Sequence, residues 1–142
     1  MSFSKLNPLQ RSLISAFSAL FAYAAWAYMM NSEHGFAAAI KAAAVQGGYS
    51  FFLTFVMTLL IEALYGYVST MVETESLKNT LTWIITCSII YSSSWWVNVI
   101  AGTPEVFDTV ILGYVVGGIY TLAYVLGLSA KERIKSGATQ AG

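Results

Sequence analysis

The hydrophobic and polar positions of the chain divide it into long apolar segments and short polar ones. Asp, Glu, Lys and Arg are absent from four mostly apolar stretches, at 12–32, 42–61, 79–104 and 109–130. A helix that crosses a bilayer needs about 20 mostly apolar residues, and these stretches lack the alternation of a membrane β-strand. The pattern predicts an all-α membrane protein with four transmembrane helices, at about 10–30, 37–68, 77–101 and 104–128, and a flexible tail over 129–142.

The connections between the predicted helices are short. Gly102, Thr103 and Pro104 separate the last two helices. Thr is a good N-cap and Pro fits the first helical position, so helix 4 is expected to begin there. Because short connections place successive helices antiparallel, the sequence predicts one integral membrane domain over 1–142, folded as an up-down-up-down bundle.

The most informative stretch is a polar row on the otherwise apolar second helix. Its five members are spaced four residues apart, and they are Gln46, Ser50, Thr54, Thr58 and Glu62. Four residues turn a helix by about 400°, so the row drifts by about 40° per step and forms a slanted ridge. We call this set the polar ridge. Its five side chains are candidates for a substrate or ion pathway.

Glu62 is the only carboxylate of the polar ridge. A carboxylate within a span is costly and usually faces protein or water. Two interpretations are open: Glu62 reaches the interface or bonds to a neighbouring helix, or it belongs to a proton- or cation-linked site. No Lys or Arg lies near it in helix 2, so a partner must come from another helix. The candidates near the same face are Thr82, Trp83, Tyr120, Thr121 and Tyr124.

Small residues recur at four-residue steps on the predicted helices. Lipid is as apolar as the side chains, so close packing of small residues and interhelical hydrogen bonds hold such bundles together. Gly113 and Gly117 form one GxxxG pair in helix 4, and Gly47 precedes the polar ridge, beside Gly48. We expect Gly47, Gly113 and Gly117 to be helix-packing positions. For Gly47 and Gly48 two interpretations are open, close packing against helix 4 or a local break of the helix that exposes backbone carbonyls.

Composition agrees with a membrane protein and excludes several other classes. The chain is 57% hydrophobic and 10% charged, against about 25% charged residues in a soluble domain, so a lipid bilayer is the expected surrounding. The net charge is zero, which gives no basis for nucleic-acid binding. His34 and Cys87, single residues far apart in the chain, make a metal site improbable. We expect neither a metal nor a cofactor.

The distribution of basic residues predicts the orientation. With the N-terminus inside, the inner segments hold six basic residues, namely Lys5, Arg11, Lys78, Lys131, Arg133 and Lys135. The outer segments hold only Lys41. This positive-inside bias predicts that both termini are cytoplasmic. Small size and the absence of eukaryotic targeting signals favour a bacterial inner membrane.

Two classes of function remain open from the sequence. No HExxH, GxSxG, P-loop or GxGxxG motif occurs, which favours a non-enzymatic protein but leaves open a site assembled across helices. The short loops favour an accessory or assembly subunit of a larger membrane complex. The polar ridge favours the alternative, a small oligomeric transporter or lipid-carrier protein. Possible partners are a homo-oligomer or a larger membrane protein.

Overall fold

The computed structural model describes the backbone of residues 8–140 and the side chains of residues 9, 10 and 12–139. Lys5, the Arg11 side chain and the end of the predicted tail (141–142) lie outside these described residues. The elements in chain order are α1 (Pro8–Asn31), a 3₁₀ turn (Ser32–His34), α2 (Phe36–Ser69), α3 (Glu75–Ala101) and α4 (Val106–Gln140). All four α-helices are long and apolar enough to cross a membrane. The predicted all-α bundle of four such helices is confirmed.

Each helix packs against its neighbour in the chain, and α4 also packs against α1 and α2. Helices α2 and α4 therefore form the short diagonal of the bundle. One end of the bundle carries the α1–α2 and α3–α4 connections, and we call it the two-loop end. The opposite end, with the α2–α3 connection, the start of α1 and the end of α4, is called the terminal end.

Gly102 ends α3 because it adopts a left-handed backbone with φ of +70°, which glycine tolerates without a Cβ clash. Its N–H donates to Val99 O at 3.0 Å, and the Thr103 N–H donates to Asn98 O at 3.0 Å. These two bonds form a Schellman motif, which satisfies the last carbonyls of the helix. The chain then turns directly into α4.

Helix α4 begins two residues later than expected. The prediction of a start at residue 104 is corrected to Val106. The Thr103 hydroxyl donates to Asn98 Oδ1 at 3.0 Å and therefore stays with α3. The N–H of Glu105 donates to Asn31 Oδ1 at 2.9 Å, so a side chain of α1 satisfies a backbone donor at the start of α4.

Helix α4 also continues past residue 128, where the flexible tail was predicted, and runs to Gln140. Contacts with α3 explain the extension. Arg133 Nη2 lies 2.7 Å from Glu75 Oε1, and Lys78 Nζ lies 3.1 Å from Glu132 Oε2. Ser129 also donates to the Glu75 carboxylate. Glu132 and Arg133 lie beyond the apolar run, which ends at residue 130, so the length of that run does not indicate their contacts.

The polarity of the bundle is that of a membrane protein. Its buried positions include many amides and hydroxyls, among them Asn31, Gln46, Thr86 and Asn98. Its exposed positions include large apolar side chains on every helix, for example Phe21, Leu59, Ile100 and Ile119. Soluble proteins rarely expose so large an apolar surface to water, whereas contact with lipid covers it. The chain is a multi-pass membrane protein.

Candidate functional site

The polar ridge of α2 faces a cavity of about 1090 Å³ inside the bundle. Gln46, Ser50, Thr54 and Thr58 all line it, while Glu62 does not. From Gln46 to Thr58 the cavity follows twelve residues of helix, which is about 18 Å at 1.5 Å per residue. The cavity therefore extends over more than half of a hydrocarbon core of about 30 Å.

Helices α1 and α4 form the two side walls of the cavity. The lining positions of α1 include Ser12, Ser15, Ser18, Ala19, Ala22 and Tyr23. Those of α4 include Gly113, Tyr114, Val116, Gly117, Tyr120 and Tyr124. Between them, α3 contributes Ile90 and Ser94. Small residues on both walls leave the space unfilled: a Cβ built on Gly117 would meet no atom within 4 Å.

The two-loop end of the cavity is closed by hydrogen bonds between α1 and α4. Trp26 Nε1 donates to Asp108 O at 2.7 Å. Asn31 Nδ2 donates to Thr109 Oγ1 at 2.8 Å, and Asn31 Oδ1 accepts the Glu105 N–H described above. Asn31 is fully buried, so its amide joins the two helices at a point without water. We call this group the two-loop clasp.

Towards the terminal end the walls separate. The hydrogen bonds between α1 and α4 within the described residues are those of the two-loop clasp. Ser15 and Ser18 on α1 and Tyr120 on α4 are exposed while they line the cavity. The cavity therefore opens sideways between α1 and α4, towards the lipid.

Glu62 lies beside the terminal-end mouth of the cavity. Tyr124 Oη donates to Glu62 Oε1 at 2.7 Å, and the rings of Tyr120 and Tyr124 stack with centroids 6.0 Å apart. Tyr124 is one of the five partners considered from the sequence. Glu62 itself is exposed. The polar ridge thus divides into four cavity-lining members and one carboxylate at the mouth.

A chain of amides fixes the orientation of Gln46. Asn98 Nδ2 donates to Ser94 O at 3.0 Å; a carbonyl only accepts, so the Asn98 NH₂ group must lie on that side. The same NH₂ group donates to Gln46 Oε1 at 2.7 Å. Gln46 therefore turns its oxygen to α3, and its NH₂ group lies on the other side of the amide, 3.7 Å from a Cβ built on Gly113.

The packing glycines are placed differently from the expectation. Gly47 lies against α1 rather than helix 4, with a built Cβ 2.8 Å from Ala24 Cβ and 3.0 Å from Leu20 O. A Cβ on Gly48 would meet no atom within 4 Å. Gly113 and Gly117 both line the cavity: a Cβ built on Gly113 would lie 3.7 Å from Gln46 Nε2 and from Tyr23 Cε1, whereas one built on Gly117 would meet no atom within 4 Å. The glycine of α4 that has a close neighbour is Gly118, whose built Cβ lies 2.6 Å from Tyr91 Oη.

Sequence reasoning missed the aromatic and α1 sides of the cavity. Tyr23, Tyr49 and Tyr114 line it from three helices, but tyrosines in spans are also typical of interfacial belts. Ser12, Ser15 and Ala19 on α1 share one helix face, at steps of three and four residues. That face of small residues could have indicated the α1 wall of the cavity. Small residues also occur at close helix contacts, so the pattern alone does not distinguish a cavity from a contact.

Two further observations concern the chemistry of this site. No cluster of three or more His, Cys, Asp and Glu side chains within the described residues could hold a metal ion. Comparisons with protein-family models, with curated proteins and with solved structures find no match to this chain.

Proposed function

We propose that the protein is a small carrier of the membrane, a transporter or lipid-carrier protein, that binds a small molecule in the cavity beside the polar ridge. The observation that carries this proposal is the cavity itself. Its volume of about 1090 Å³ is slightly above the range of about 300–1,000 Å³ that is usual for ligand pockets. It is lined by both apolar and hydrogen-bonding side chains, as such pockets usually are.

The sideways opening supports entry from the bilayer. Helices α1 and α4 are joined at the two-loop clasp and separate towards the terminal end. A molecule dissolved in lipid therefore meets a gap between the two helices. A water-soluble molecule would instead need a path past the bundle ends. At the two-loop end that path is blocked by Trp26 and Asn31.

The proposed setting is a bacterial inner membrane with both termini in the cytoplasm. The basic residues Lys78, Lys131, Arg133 and Lys135 all belong to the terminal end, and Lys41 lies near the two-loop end, which supports this orientation. Reporter fusions after residue 142 should report the cytoplasm, and fusions after Gly35 should report the opposite side. A reporter on the outside at the C-terminus would contradict this topology.

Filling the cavity tests the carrier function. Gly117→Phe places a ring in space where a Cβ meets no atom, whereas Val115→Phe, the matched control, changes a side chain that is 54% exposed towards lipid. After purification in mild detergent, native mass spectrometry should find a bound small molecule on the parent and on Val115→Phe. The Gly117→Phe variant should have lost it at unchanged thermal stability. Equal occupancy of both variants, or none on the parent, would contradict the proposal.

An accessory or assembly subunit is the second candidate, and the short connections support it. Residues 70–74 and 102–105 are too few to form a domain outside the membrane. The same mass measurement separates the two functions. Co-purification of a larger membrane protein, with no small molecule bound, would favour the subunit; a bound small molecule on a monomer or homo-oligomer favours the carrier.

A further inference from the structure

Several side chains of the cavity have hydrogen-bonding groups without a partner in the protein. The hydroxyls of Ser50, Thr54 and Thr58 bond to no described residue, and neither does that of Ser94. A serine or threonine in a helix commonly bonds back to the carbonyl four residues earlier, as Ser93 does to Ile89 O at 2.7 Å. The cavity hydroxyls do not use this option, so they remain available to another molecule.

These free hydroxyls face open space. Ser50 and Ser94 are only 5% and 3% exposed. Within the described residues, Thr82 and Thr86 have unpartnered hydroxyls that are fully buried inside the bundle. The hydroxyls of Ser50 and Ser94 are not in that group, because they keep a small exposed area. The little exposure that Ser50 and Ser94 retain is therefore exposure to the cavity. An unpaired hydroxyl at such depth costs free energy, which favours a ligand that pairs with it.

Gln46 adds a donor of fixed direction. It is 1% exposed, and its oxygen is held by Asn98, so its NH₂ group is the part left for the cavity. That NH₂ group makes no hydrogen bond to a described residue. A ligand oxygen is the complement of this group, since an amide NH₂ only donates.

The described side chains give the lining no charge. Among the described residues, no Asp, Glu, Lys, Arg or His lines the cavity; Glu62 lies at its mouth, bonded to Tyr124. A phosphate or carboxylate inside would lose its hydration without gaining a cation, which is strongly unfavourable. The ligand group that fits is rich in oxygen and uncharged.

We propose that the cavity binds an amphiphile with an uncharged, hydroxyl-bearing head group, of the sugar or polyol class. The head group lies along Gln46, Ser50 and Thr54, whose four-residue steps space their groups by about 6 Å, comparable with the width of a hexose ring. Hydroxyls both donate and accept, so they match serine and threonine hydroxyls and the Gln46 NH₂ group together. The apolar tail leaves between α1 and α4 into lipid. This inference rests on the proposed carrier function and names its substrate class.

The test compares defined lipids on the purified protein. The detergent should be a polyoxyethylene ether, because an alkyl glycoside would compete for the site. The probes are monoglucosyl diacylglycerol, diacylglycerol without the sugar, phosphatidylglycerol and free glucose, each titrated by native mass spectrometry. Monoglucosyl diacylglycerol should bind at least tenfold more tightly than each of the other three. If phosphatidylglycerol or plain diacylglycerol bound as tightly as monoglucosyl diacylglycerol, the inference would be overturned. If free glucose bound as tightly, the proposed contribution of an apolar tail would be overturned.

A double substitution removes only the unpartnered hydroxyls. Ser50→Ala with Thr54→Val breaks no hydrogen bond of the protein, so its thermal stability should equal that of the parent. Its affinity for monoglucosyl diacylglycerol should fall about tenfold. The matched control is Ser88→Ala, which removes an exposed hydroxyl of α3 that bonds to Ile84 O, and it should bind like the parent. Unchanged affinity of the double variant would overturn the inference.

Failure of the inference and failure of the carrier function have different signatures. If a molecule of another class occupies the parent and is lost in Gly117→Phe, the carrier function stands and the sugar or polyol class is wrong. If the parent holds no molecule and Gly117→Phe behaves like Val115→Phe, both are wrong.

Discussion

Helix α4 meets α3 and α1 in two different ways. Against α3, Tyr91 Oη donates to Tyr114 O at 2.7 Å and Tyr114 Oη donates to Tyr91 O at 2.9 Å, so the two tyrosines bond reciprocally. Trp83 Nε1 donates to Gly118 O at 3.0 Å in the same contact. Against α1, the described hydrogen bonds are those of the two-loop clasp, and towards the terminal end hydroxyls line open space.

The difference between the two contacts is whether the hydrogen-bonding groups of facing side chains are satisfied. Tyr114 also lines the cavity, but its hydroxyl is already paired because it donates to the Tyr91 carbonyl of α3. Tyr120, less than two turns further along α4, bonds to no described residue and lines the cavity. In lipid, a group that is already paired holds a helix in place, whereas an unpaired group is available to a ligand. A tyrosine of α4 therefore stabilises the α3–α4 contact at one position and offers a free hydroxyl to a ligand at the other.

The largest effect is expected at the two-loop clasp, the one place where the α1–α4 contact resembles the α3–α4 contact. Asn31→Leu leaves the half-buried Glu105 N–H and the buried Thr109 hydroxyl without this partner, and should reduce the free energy of unfolding by about 2 kcal/mol. Thermal and denaturant unfolding in detergent would measure it. Ser32→Ala is the control, since Ser32 is exposed and bonds only to Met29 O. Equal stability of the two variants would mean that the clasp does not hold α1.

An intermediate effect is expected from adjacent glycines of α4. Gly118→Ala forces its Cβ to within 2.6 Å of Tyr91 Oη, so the tyrosine must shift and its hydrogen bond weakens. The expected loss of stability is about 1 kcal/mol. Gly117→Ala meets no atom and should be neutral or stabilising by up to about 1 kcal/mol, because alanine favours a helix. If Gly117→Ala were the more damaging of the two, the cavity would not be where the structure places it.

The smallest effect separates a bonded tyrosine from a free one. Tyr114→Phe removes the hydroxyl that bonds to Tyr91 O and should cost about 0.6 kcal/mol, the average for such bonds in membranes. Tyr120→Phe removes a hydroxyl without a protein partner and should leave stability unchanged. The free energy of unfolding of the double variant Tyr91→Phe with Tyr114→Phe, compared with that of the two single variants, would show whether the two reciprocal hydrogen bonds are energetically coupled. A loss for Tyr120→Phe as large as for Tyr114→Phe would remove the proposed distinction between the two contacts.

The helices themselves were largely predictable from the sequence. The predicted bounds of the first three helices agree with α1, α2 and α3 to within about two residues, because a span is set by the length of an apolar run. The end of α4 was wrong by about three turns. Its extension depends on Arg133 and Glu132 reaching α3, and the apolar run contains no sign of those contacts.

The candidate site was only partly predictable. The spacing of Gln46, Ser50, Thr54 and Thr58 identified one wall of the cavity, because a common helix face follows from helical periodicity alone. The opposite wall depends on how α1 and α4 are placed, which no local pattern records. Gly117 shows the difficulty: a glycine permits a close contact and also leaves a void, and only the tertiary arrangement decides between them.

The lengths of α1 and α2 have a consequence for the membrane around the protein. Helix α2 has 34 residues and α1 has 24, which correspond to about 51 Å and 36 Å beside a hydrocarbon core of about 30 Å. Helix α2 carries only Lys41 and Glu62 as charged residues, and apolar side chains continue beyond both of them, so we expect mismatch at α2 to be relieved by tilt or by local thickening of the bilayer. Bilayer thickness therefore acts more strongly on the tilt of α2 than on that of α1. Since α2 carries the polar ridge, the lipid composition of the host membrane becomes one determinant of the width of the cavity.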